Sequence, residues 1–177
     1  MPLFLAEVSI GSNGATDLSA LFARVEDAVA RAGGELIEVQ VVRDLGLVYA
    51  IVEHRLADVV RGVLEAAEVA VRDVAEVRLV GPTLEEVKAR KGGRANFLVE
   101  WDIPSGTSME QYLSRKREKA PLYAQVPETS FLRTYVREDM MKCVCLYDAP
   151  DEDAVRRARE AVSTPVDRLS RLDKEPA

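Results

Sequence analysis

The chain has 177 residues, of which 47% are hydrophobic and 31% are charged, so its length fits one ordinary domain or two small ones. Its 24 lysines and arginines against 30 aspartates and glutamates give a net charge of −6, which argues against a broad nucleic-acid-binding surface. The two cysteines, Cys143 and Cys145, and the one histidine, His54, exclude a disulfide framework and a histidine-rich metal site within one chain.

The N-terminal segment lacks the pattern of a signal peptide, because no basic region precedes its apolar run and Glu7 interrupts that run. No apolar stretch of the sequence approaches the ~18 residues that a membrane span needs. We therefore expect a cytoplasmic protein with neither a membrane nor a nucleic acid as partner.

One seven-residue stretch occurs twice, about half the chain apart. Residues 4–10 read Phe-Leu-Ala-Glu-Val-Ser-Ile, and residues 97–103 read Phe-Leu-Val-Glu-Trp-Asp-Ile, with four identical positions. Both copies have the composition of a short strand that carries a carboxylate in an apolar run. The repeat predicts two copies of one folding unit.

The first half alternates strand-like runs with helical periodicity. Asp17 or Thr16 is placed to cap the first helix, and Gly33-Gly34 to end it. The predicted elements are a strand at 4–10, a helix at 18–32, strands at 36–42 and 45–52, a helix at 56–71 and a strand at 74–80. Their β-α-β-β-α-β order is that of the ferredoxin-like arrangement.

The second half repeats this order after a connecting segment, in which Thr83 and Glu86 form a capping box for a short helix. The predicted elements are a strand at 97–103, a helix at 108–122, strands at 131–137 and 141–147, a helix at 151–162 and a strand at 166–172. We predict an α+β fold of two tandem ferredoxin-like units, residues 1–81 and 96–174, joined by a linker at 82–95. The carboxylates on their non-helix faces suggest that the units pair through their sheets, as in a dimeric α/β barrel.

Three segments of the second half, 97–104, 131–139 and 142–156, resemble a small bacterial domain family. The Leu-Tyr-Asp-Ala-Pro-Asp-Glu run at 146–152 is the most specific of the matching pieces. The best-known type of that family is a nickel-binding ferredoxin-like protein that dimerises through its sheets. The resemblance covers about residues 96–172 and implies the same fold, a sheet-to-sheet pairing and, as cofactor, a divalent transition metal such as nickel.

The nickel site of that type protein depends on histidines, and the matching half of this chain has none. Arg133 stands in a strand where relatives can carry a histidine. We therefore predict that this chain does not bind nickel tightly in that mode.

Strand alternation places Phe97, Val99, Trp101 and Ile103 on one face, which we expect to lie under the helices with Trp101 buried against the helix that begins near Ser108. The other face carries carboxylates and, on neighbouring strands, possible donors. The candidate ligand-binding residues are Glu7, Glu100, Asp102, Arg133, Tyr135 and Arg137. They predict either a polar pocket between the sheets or a structural carboxylate–arginine network, since both arrangements desolvate carboxylates.

The candidate metal ligands are Cys143, Cys145 and His54. The two thiols share a strand face and could form half of a soft-metal site. Packing in the core is the alternative for the thiols, because free cysteine is among the most buried residue types. A surface position at a strand end is the alternative for His54.

A basic run, Arg115-Lys116-Arg117-Glu118-Lys119, lies on the predicted helix at 108–122 between Tyr112 and Tyr123. Such a run could bind an anion or an acidic partner surface. A solvated helix face is the alternative.

Two functions follow from these patterns. The first is a small-ligand or metal-binding accessory protein, a tandem pseudo-dimer whose partner is a small molecule or a metal ion, with a homodimer as a further assembly. The second is a cofactor-independent enzyme of the dimeric α/β-barrel type, a small monooxygenase, isomerase or cyclase with its pocket between helices and sheet. The duplication favours the first reading, and fold analogy supports the second.

Overall fold

The computed structural model describes residues 1–11, 17–90 and 93–173, and the chain divides into two compact units. The first unit is Met1–Val77 with the segment from Leu172 onward, and the second is Arg78–Arg171. Within the described ranges, no helix is both long and apolar enough to cross a membrane.

The first unit has the element order that its sequence predicts. Its elements are β1 (Leu3–Ser9), α1 (Leu18–Arg31), β2 (Glu35–Val42), β3 (Leu47–Glu53), α2 (Ala57–Ala66) and β4 (Ala70–Val80). The strands are antiparallel in the order β2-β3-β1-β4, which is the ferredoxin-like order.

The start of α1 follows local sequence signals. The Asp17 carboxylate accepts a hydrogen bond from the Ala20 amide at 3.1 Å, so Asp17 is the cap. Thr16, the other predicted cap, lies outside the described residues.

The end of α2 differs from the prediction, which continued the helix to residue 71. The helix stops at Ala66, Glu68 adopts a φ of 60°, and the Val69 amide returns to the Leu64 carbonyl at 3.1 Å. This left-handed closure turns the chain, so β4 begins at Ala70 rather than at 74. Val69 and Val71 extend the apolar pattern of the helix but lie beyond its end.

The second unit repeats the β-α-β-β-α-β order. Its elements are α3 (Leu84–Lys88), β5 (Phe97–Asp102), α4 (Met109–Lys119), a 3-10 segment (Ala120–Gln125), β6 (Ser130–Arg137), β7 (Lys142–Asp148), α5 (Glu152–Ala161) and β8 (Arg168–Arg171). Its strands are ordered β6-β7-β5-β8, the same second-third-first-fourth order as in the first unit. The pairing of the two units through their sheets stays a prediction.

Capping and proline explain the helix ends of the second unit. The Thr83–Glu86 capping box is present at α3, and Ser108 with Gln111 forms a second one at α4. The prediction carried α4 to residue 122, but Pro121 has no amide hydrogen to donate. The α-helix therefore ends at Lys119 and continues as the 3-10 segment.

The strand register decides which side chains share a face. Val99 lies opposite Cys145, and Cys145 lies opposite Thr134. One residue further along, Glu100 lies opposite Val144, and Val144 lies opposite Tyr135. Because cross-strand neighbours point the same way, the two cysteines and the two carboxylates of β5 occupy opposite faces of the sheet.

Trp101 lies in the core of the second unit, as predicted. Its side chain is 7% exposed, and its ring stacks on that of Tyr112 with centroids 6.1 Å apart and an interplanar angle of 26°. Tyr112 belongs to α4, whose cap is Ser108, so the predicted helix is the one that covers the tryptophan.

Candidate functional site

A charged cluster lies inside the second unit, on the helix-facing side of its sheet. Cys143 and Cys145 are free and fully buried, with their Sγ atoms 3.8 Å apart. They follow the strand alternation of β7 and point toward α4 and α5. Core packing, the predicted alternative to metal binding, thus describes their position.

Three donors from other elements meet at the Cys145 sulfur. Arg159 of α5 is 2% exposed, and its Nη1 lies 3.6 Å from Sγ. The Nζ of Lys116, on α4, lies 3.9 Å from the same atom, and the Thr134 hydroxyl of β6 donates to it. Two positive charges therefore surround one sulfur in a place from which water is excluded.

These contacts fix which of the two thiols ionises. A hydrogen bond from the Cys143 thiol, together with the charges of Lys116 and Arg159, holds the pKa of Cys145 well below its usual range although burial opposes ionisation. The same hydrogen bond and burial raise the pKa of Cys143. The contacts therefore favour ionisation of Cys145 over that of Cys143.

Hydrogen bonds extend the cluster toward the surface. Arg159 Nη1 also donates to the Tyr147 hydroxyl at 3.2 Å, and its Nη2 donates to the Pro165 carbonyl at 2.7 Å. The hydroxyls of Tyr147 and Tyr123 are 2.9 Å apart. Burial raises the pKa of Tyr123 to about 12 and holds that of Tyr147 well above its usual value, so both phenols stay protonated at neutral pH.

A pocket opens onto this cluster between the helices and the sheet of the second unit. Its enclosed space is about 50 Å³ and continues into a wider, open mouth. The enclosed part is smaller than the ~300–1,000 Å³ of typical small-molecule sites, so a ring bound there would lie partly in the mouth. Its walls include four aromatic rings, those of Trp101, Tyr112, Tyr123 and Phe131.

The same pocket is lined by four cations, which are Arg115, Lys116, Lys119 and Arg159. The Lys116 ammonium lies 4.3 Å from the Phe131 ring centroid and 5.8 Å from that of Tyr112. A cation held against aromatic faces beside a void suits a flat ligand that carries negative charge. Part of the predicted basic run therefore faces a pocket, whereas Arg117 is exposed and does not line it.

The predicted carboxylates lie on the other face of the sheet. Glu100 is 4% exposed and binds Lys142 Nζ at 2.8 Å and Arg168 Nε at 2.7 Å. Asp102, which is exposed, makes a two-pronged contact with Arg168 at 3.0 and 2.6 Å. Burial on its own would raise the pKa of Glu100, but Lys142 and Arg168 lower it, and the hydrogen bonds from Arg168 lower the pKa of Asp102.

The predicted donors lie on this same face but are engaged elsewhere. Arg133 Nη1 donates to the Gly93 carbonyl at 3.3 Å, Arg137 pairs with Asp139 at 2.6 Å, and Tyr135 is buried. Asp102 and Arg137 also line an open depression of about 770 Å³ together with Lys142 and Arg168, so both the pocket and the network alternatives stay predictions. Sequence reasoning overlooked Lys142 and Arg168, although strand alternation places both side chains on the same face of the sheet as the carboxylates.

Glu7 belongs to the first unit. It is half-buried in β1, between Tyr49 of β3 and Asp73 of β4 in the strand register. Its part in a ligand site likewise stays a prediction.

The surface position expected for His54 is wrong. The side chain is 8% exposed, its Nδ1 accepts from the Leu56 amide at 3.0 Å, and its Nε2 faces the Ala32 carbonyl at 3.1 Å. The turns that follow α1 and β3 enclose the ring, and their backbone groups satisfy it. The geometry leaves neither ring nitrogen directed at a metal.

Arg159 is the functional candidate that sequence reasoning missed. It lies in a basic helical run, but it also occupies the apolar stripe formed by Val155, Ala158 and Val162. A charge at the core spacing of a helix is the signal that could have found it. Lys116 is likewise a charged residue at the core spacing of its helix, four residues after Tyr112.

The donors present do not fit nickel. The described part of the chain contains no group of three or more histidine, cysteine, aspartate or glutamate side chains that could hold a metal ion. The thiolate of Cys145 faces Lys116 and Arg159, whose charges repel a divalent cation, and the register separates the cysteines from Glu100 and Asp102.

Comparisons with known proteins place this site in context. The model of a family described as nickel responsive protein SCO4226-like matches residues 97–172, most of the second unit. No curated protein matches the chain. The family model therefore agrees with the resemblance predicted for the second half.

Two solved structures are similar to nearly the whole chain. One is named "Putative Chlorite dismutase", with 11% identity, a TM-score of 0.53, and coverage of 98% of this chain and 96% of the other. The second is a "putative monooxygenase from Lactobacillus acidophilus NCFM", with 13% identity, a TM-score of 0.54, and coverage of 97% and 92%. At these identities the likeness shows the fold.

These comparisons correct one prediction. The sequence favoured a small-ligand or metal-binding accessory protein, whereas both neighbours carry the names of enzymes and no described donor set fits a metal. The enzyme alternative is therefore the better reading, and the accessory-protein reading is wrong.

Proposed function

We propose that the second unit is a cofactor-independent enzyme that binds a planar aromatic substrate in the pocket between its helices and sheet and oxidises it with dioxygen. The observation that carries this proposal is the lining of the pocket, where aromatic rings and cations surround a void beside a buried thiolate. The solved structure named as a monooxygenase is in keeping with the oxygenase class, by analogy of fold.

The lining suits the formation of a substrate anion. Trp101 and Phe131 offer flat faces against which an aromatic ring can stack. Lys116 and Arg159 reach the same space from two different helices, so their charges are held in place before a substrate arrives. A preorganised pair of cations lowers the pKa of an acidic C–H or O–H group of the substrate and stabilises its anion.

The chemistry that this anion permits needs no further electron donor. A methylene group beside an aromatic carbonyl, once deprotonated, can react with dioxygen to give a carbonyl group and water. One oxygen atom enters the substrate, the other leaves as water with the two methylene hydrogens, and the methylene carbon supplies the electrons. In this reaction the residues of the pocket bind, orient and stabilise the anion.

The test is dioxygen uptake by the purified protein with a panel of anthrones, naphthols and hydroquinones. For the anthrones, isotopically labelled dioxygen should give one labelled oxygen atom in the product. Lys116→Met should lower the rate about 10²-fold, the usual effect of removing one stabilising group from a developing anion. Arg117→Met, an exposed basic change on the same helix, is the matched control and should retain the rate.

Two results would overturn the proposal. One is uptake no faster than the uncatalysed rate across the whole panel. The other is an equal loss of rate in the Lys116 and Arg117 variants, since that would place the chemistry outside the pocket.

A further inference from the structure

We infer that the pocket of the second unit selects a negatively charged aromatic ligand, held by Lys116 and Arg159, and that the Cys145 sulfur competes with this ligand for the same two cations. The inference names the ligand class of the site described above, and it rests on the proposed function only in treating that ligand as a substrate.

The charges around the pocket support an anionic ligand. Its described lining contains four cations and no aspartate or glutamate, although the chain as a whole has a net charge of −6. A concave site lined by one sign of charge concentrates ions of the opposite sign. Arg115 and Lys119 add to the attraction, while Lys116 and Arg159 reach the buried end.

Arg159 supplies an independent observation. Its Nη atoms donate to Cys145, Tyr147 and Pro165, but its buried Nε has no hydrogen-bond acceptor among the described residues. A buried donor without an acceptor costs free energy, and natural structures rarely keep one without a reason. Arg159 also lines the pocket, so a small shift of its side chain would let an oxygen of a bound anion accept from its guanidinium.

Lys116 is the second contact. Its Nζ lies 3.9 Å from the Cys145 sulfur and against the rings of Tyr112 and Phe131. An ammonium group has three donors, and the contact with sulfur uses one of them. A ligand stacked beside these rings would therefore meet both an aromatic face and a charged donor.

The cations next to the sulfur explain why it competes with the ligand. The Nζ of half-buried Lys116 and the Nη1 of buried Arg159 lie 3.9 and 3.6 Å from the Cys145 sulfur, so negative charge on that sulfur occupies both cations. The groups that face the sulfur are Lys116 and Tyr112 from α4, Arg159 from α5, Thr134 from β6, and Cys143 and Tyr147 from β7. The tyrosines and Cys143 stay neutral because burial raises the pKa of each.

An ionised sulfur therefore takes up part of the positive charge that a bound anion would otherwise use. If the thiolate is removed, both cations become available to the ligand. The sulfur thus competes with the ligand for the cations and is not one of its contacts. Removal of this buried side chain should therefore strengthen ligand binding, whereas removal of a contact would weaken it.

The test uses naphthalene-2-sulfonate, which stays anionic across the working pH range, and naphthalene-2-sulfonamide as its neutral match. Binding is followed by titration calorimetry and by the fluorescence of Trp101, the one tryptophan and a lining residue. The sulfonate should bind about tenfold more tightly than the sulfonamide. Lys116→Met should remove this preference, and the matched Arg117→Met should keep it.

The decisive variant is Cys145→Ala, which should bind the sulfonate about threefold to tenfold more tightly and leave sulfonamide binding unchanged. In the wild-type protein, sulfonate affinity should fall as the pH rises through the titration of the thiol, whereas the variant should show no such step. Cys145→Ser, of similar size and without a thiolate, repeats the test if the alanine variant does not fold.

Equal affinity for the two naphthalenes, or weaker sulfonate binding by both Cys145 variants, would overturn the inference. The sulfonate is not oxidised, so these outcomes do not depend on turnover. Preferential sulfonate binding without dioxygen uptake on any substrate of the panel would overturn the proposed function alone.

Discussion

The two units share one topology but differ in what they enclose. The cross-strand pair Ala6–Ala50 of the first unit occupies the place of Val99–Cys145 in the second. Counted from the first residue of each helix, Val25 of α1 matches Lys116 of α4, and Leu64 of α2 matches Arg159 of α5. The three residues of the charged cluster thus have three apolar counterparts.

The interior of the first unit is correspondingly apolar. Its described space between helices and sheet has only about 10 Å³ of enclosed volume and is lined by aliphatic and phenylalanine side chains. Such an interior needs only close packing, whereas the second unit holds ions whose burial costs several kcal/mol each unless they are paired. The difference supports the proposal that the pocket of the second unit, rather than the interior of the first, is the functional site.

The largest expected effect concerns Trp101, the aromatic residue by which the core of the second unit differs from that of the first. Trp101→Ala should lower the free energy of unfolding by about 3–5 kcal/mol, because it leaves a large cavity under α4. Val8→Ala at the matching position of the first unit should cost less, since fewer buried atoms are removed. Urea unfolding followed by circular dichroism measures both, and equal losses would contradict the assigned burial of Trp101.

The next test converts the second interior toward the first. Arg159→Leu should cost about 3 kcal/mol, because it leaves the Cys145 sulfur with one cation fewer and removes a donor to the Tyr147 hydroxyl. Adding Cys145→Ala, which reproduces the Leu64–Ala50 pair, should restore part of that loss. A double-mutant cycle with a coupling of at least ~0.5 kcal/mol is expected, and simple additivity would show that the two groups do not interact.

The dependence of stability on pH should separate the units further. The pKa of Cys145 is lowered in the folded state, so its contribution is present above the ordinary thiol pKa of ~8.5 and is lost as the pH falls through the folded value. The raised pKa of Cys143 acts in the opposite direction. Its contribution to stability is present below a pH of ~8.5 and is lost as the pH rises further. The stability difference between wild type and Cys145→Ala should therefore rise with pH up to about that value.

The same unfolding measurements should be made with Ala50→Ser, a polar change at the matching site of the first unit. The difference between wild type and this variant should show no such rise with pH. If the difference in stability between wild type and Cys145→Ala does not change with pH, the thiol of Cys145 is not ionised in the folded protein.

The smallest effect is expected on the carboxylate face of the second sheet. Asp102→Asn removes an exposed ion pair with Arg168 and should cost about 0.2–1 kcal/mol, reduced further by salt. It should leave sulfonate binding unchanged, because the register places Asp102 on the face opposite the pocket. Altered sulfonate binding would argue that the two faces communicate.

The sequence by itself determined the local structure. Alternation and helical periodicity predicted the order of strands and helices, the capping box at Thr83 predicted α3, and strand parity predicted the burial of Trp101. These features depend on residues that are near neighbours in the chain, so their causes are visible in a short window. The same parity correctly set the carboxylates of β5 apart from its apolar residues.

Only the tertiary structure decided where the charges meet. Lys116 lies 29 residues from Cys145 and Arg159 lies 14 residues from it, and the three converge because α4 and α5 pack on one face of the sheet. A lysine or arginine in a helical run reads as a solvated residue until that packing buries it. His54 shows the same limit, since the turn that satisfies its Nε2 ends a helix 22 residues earlier. Which side chains desolvate one another is set by contacts between distant elements, and a sequence pattern does not contain those contacts.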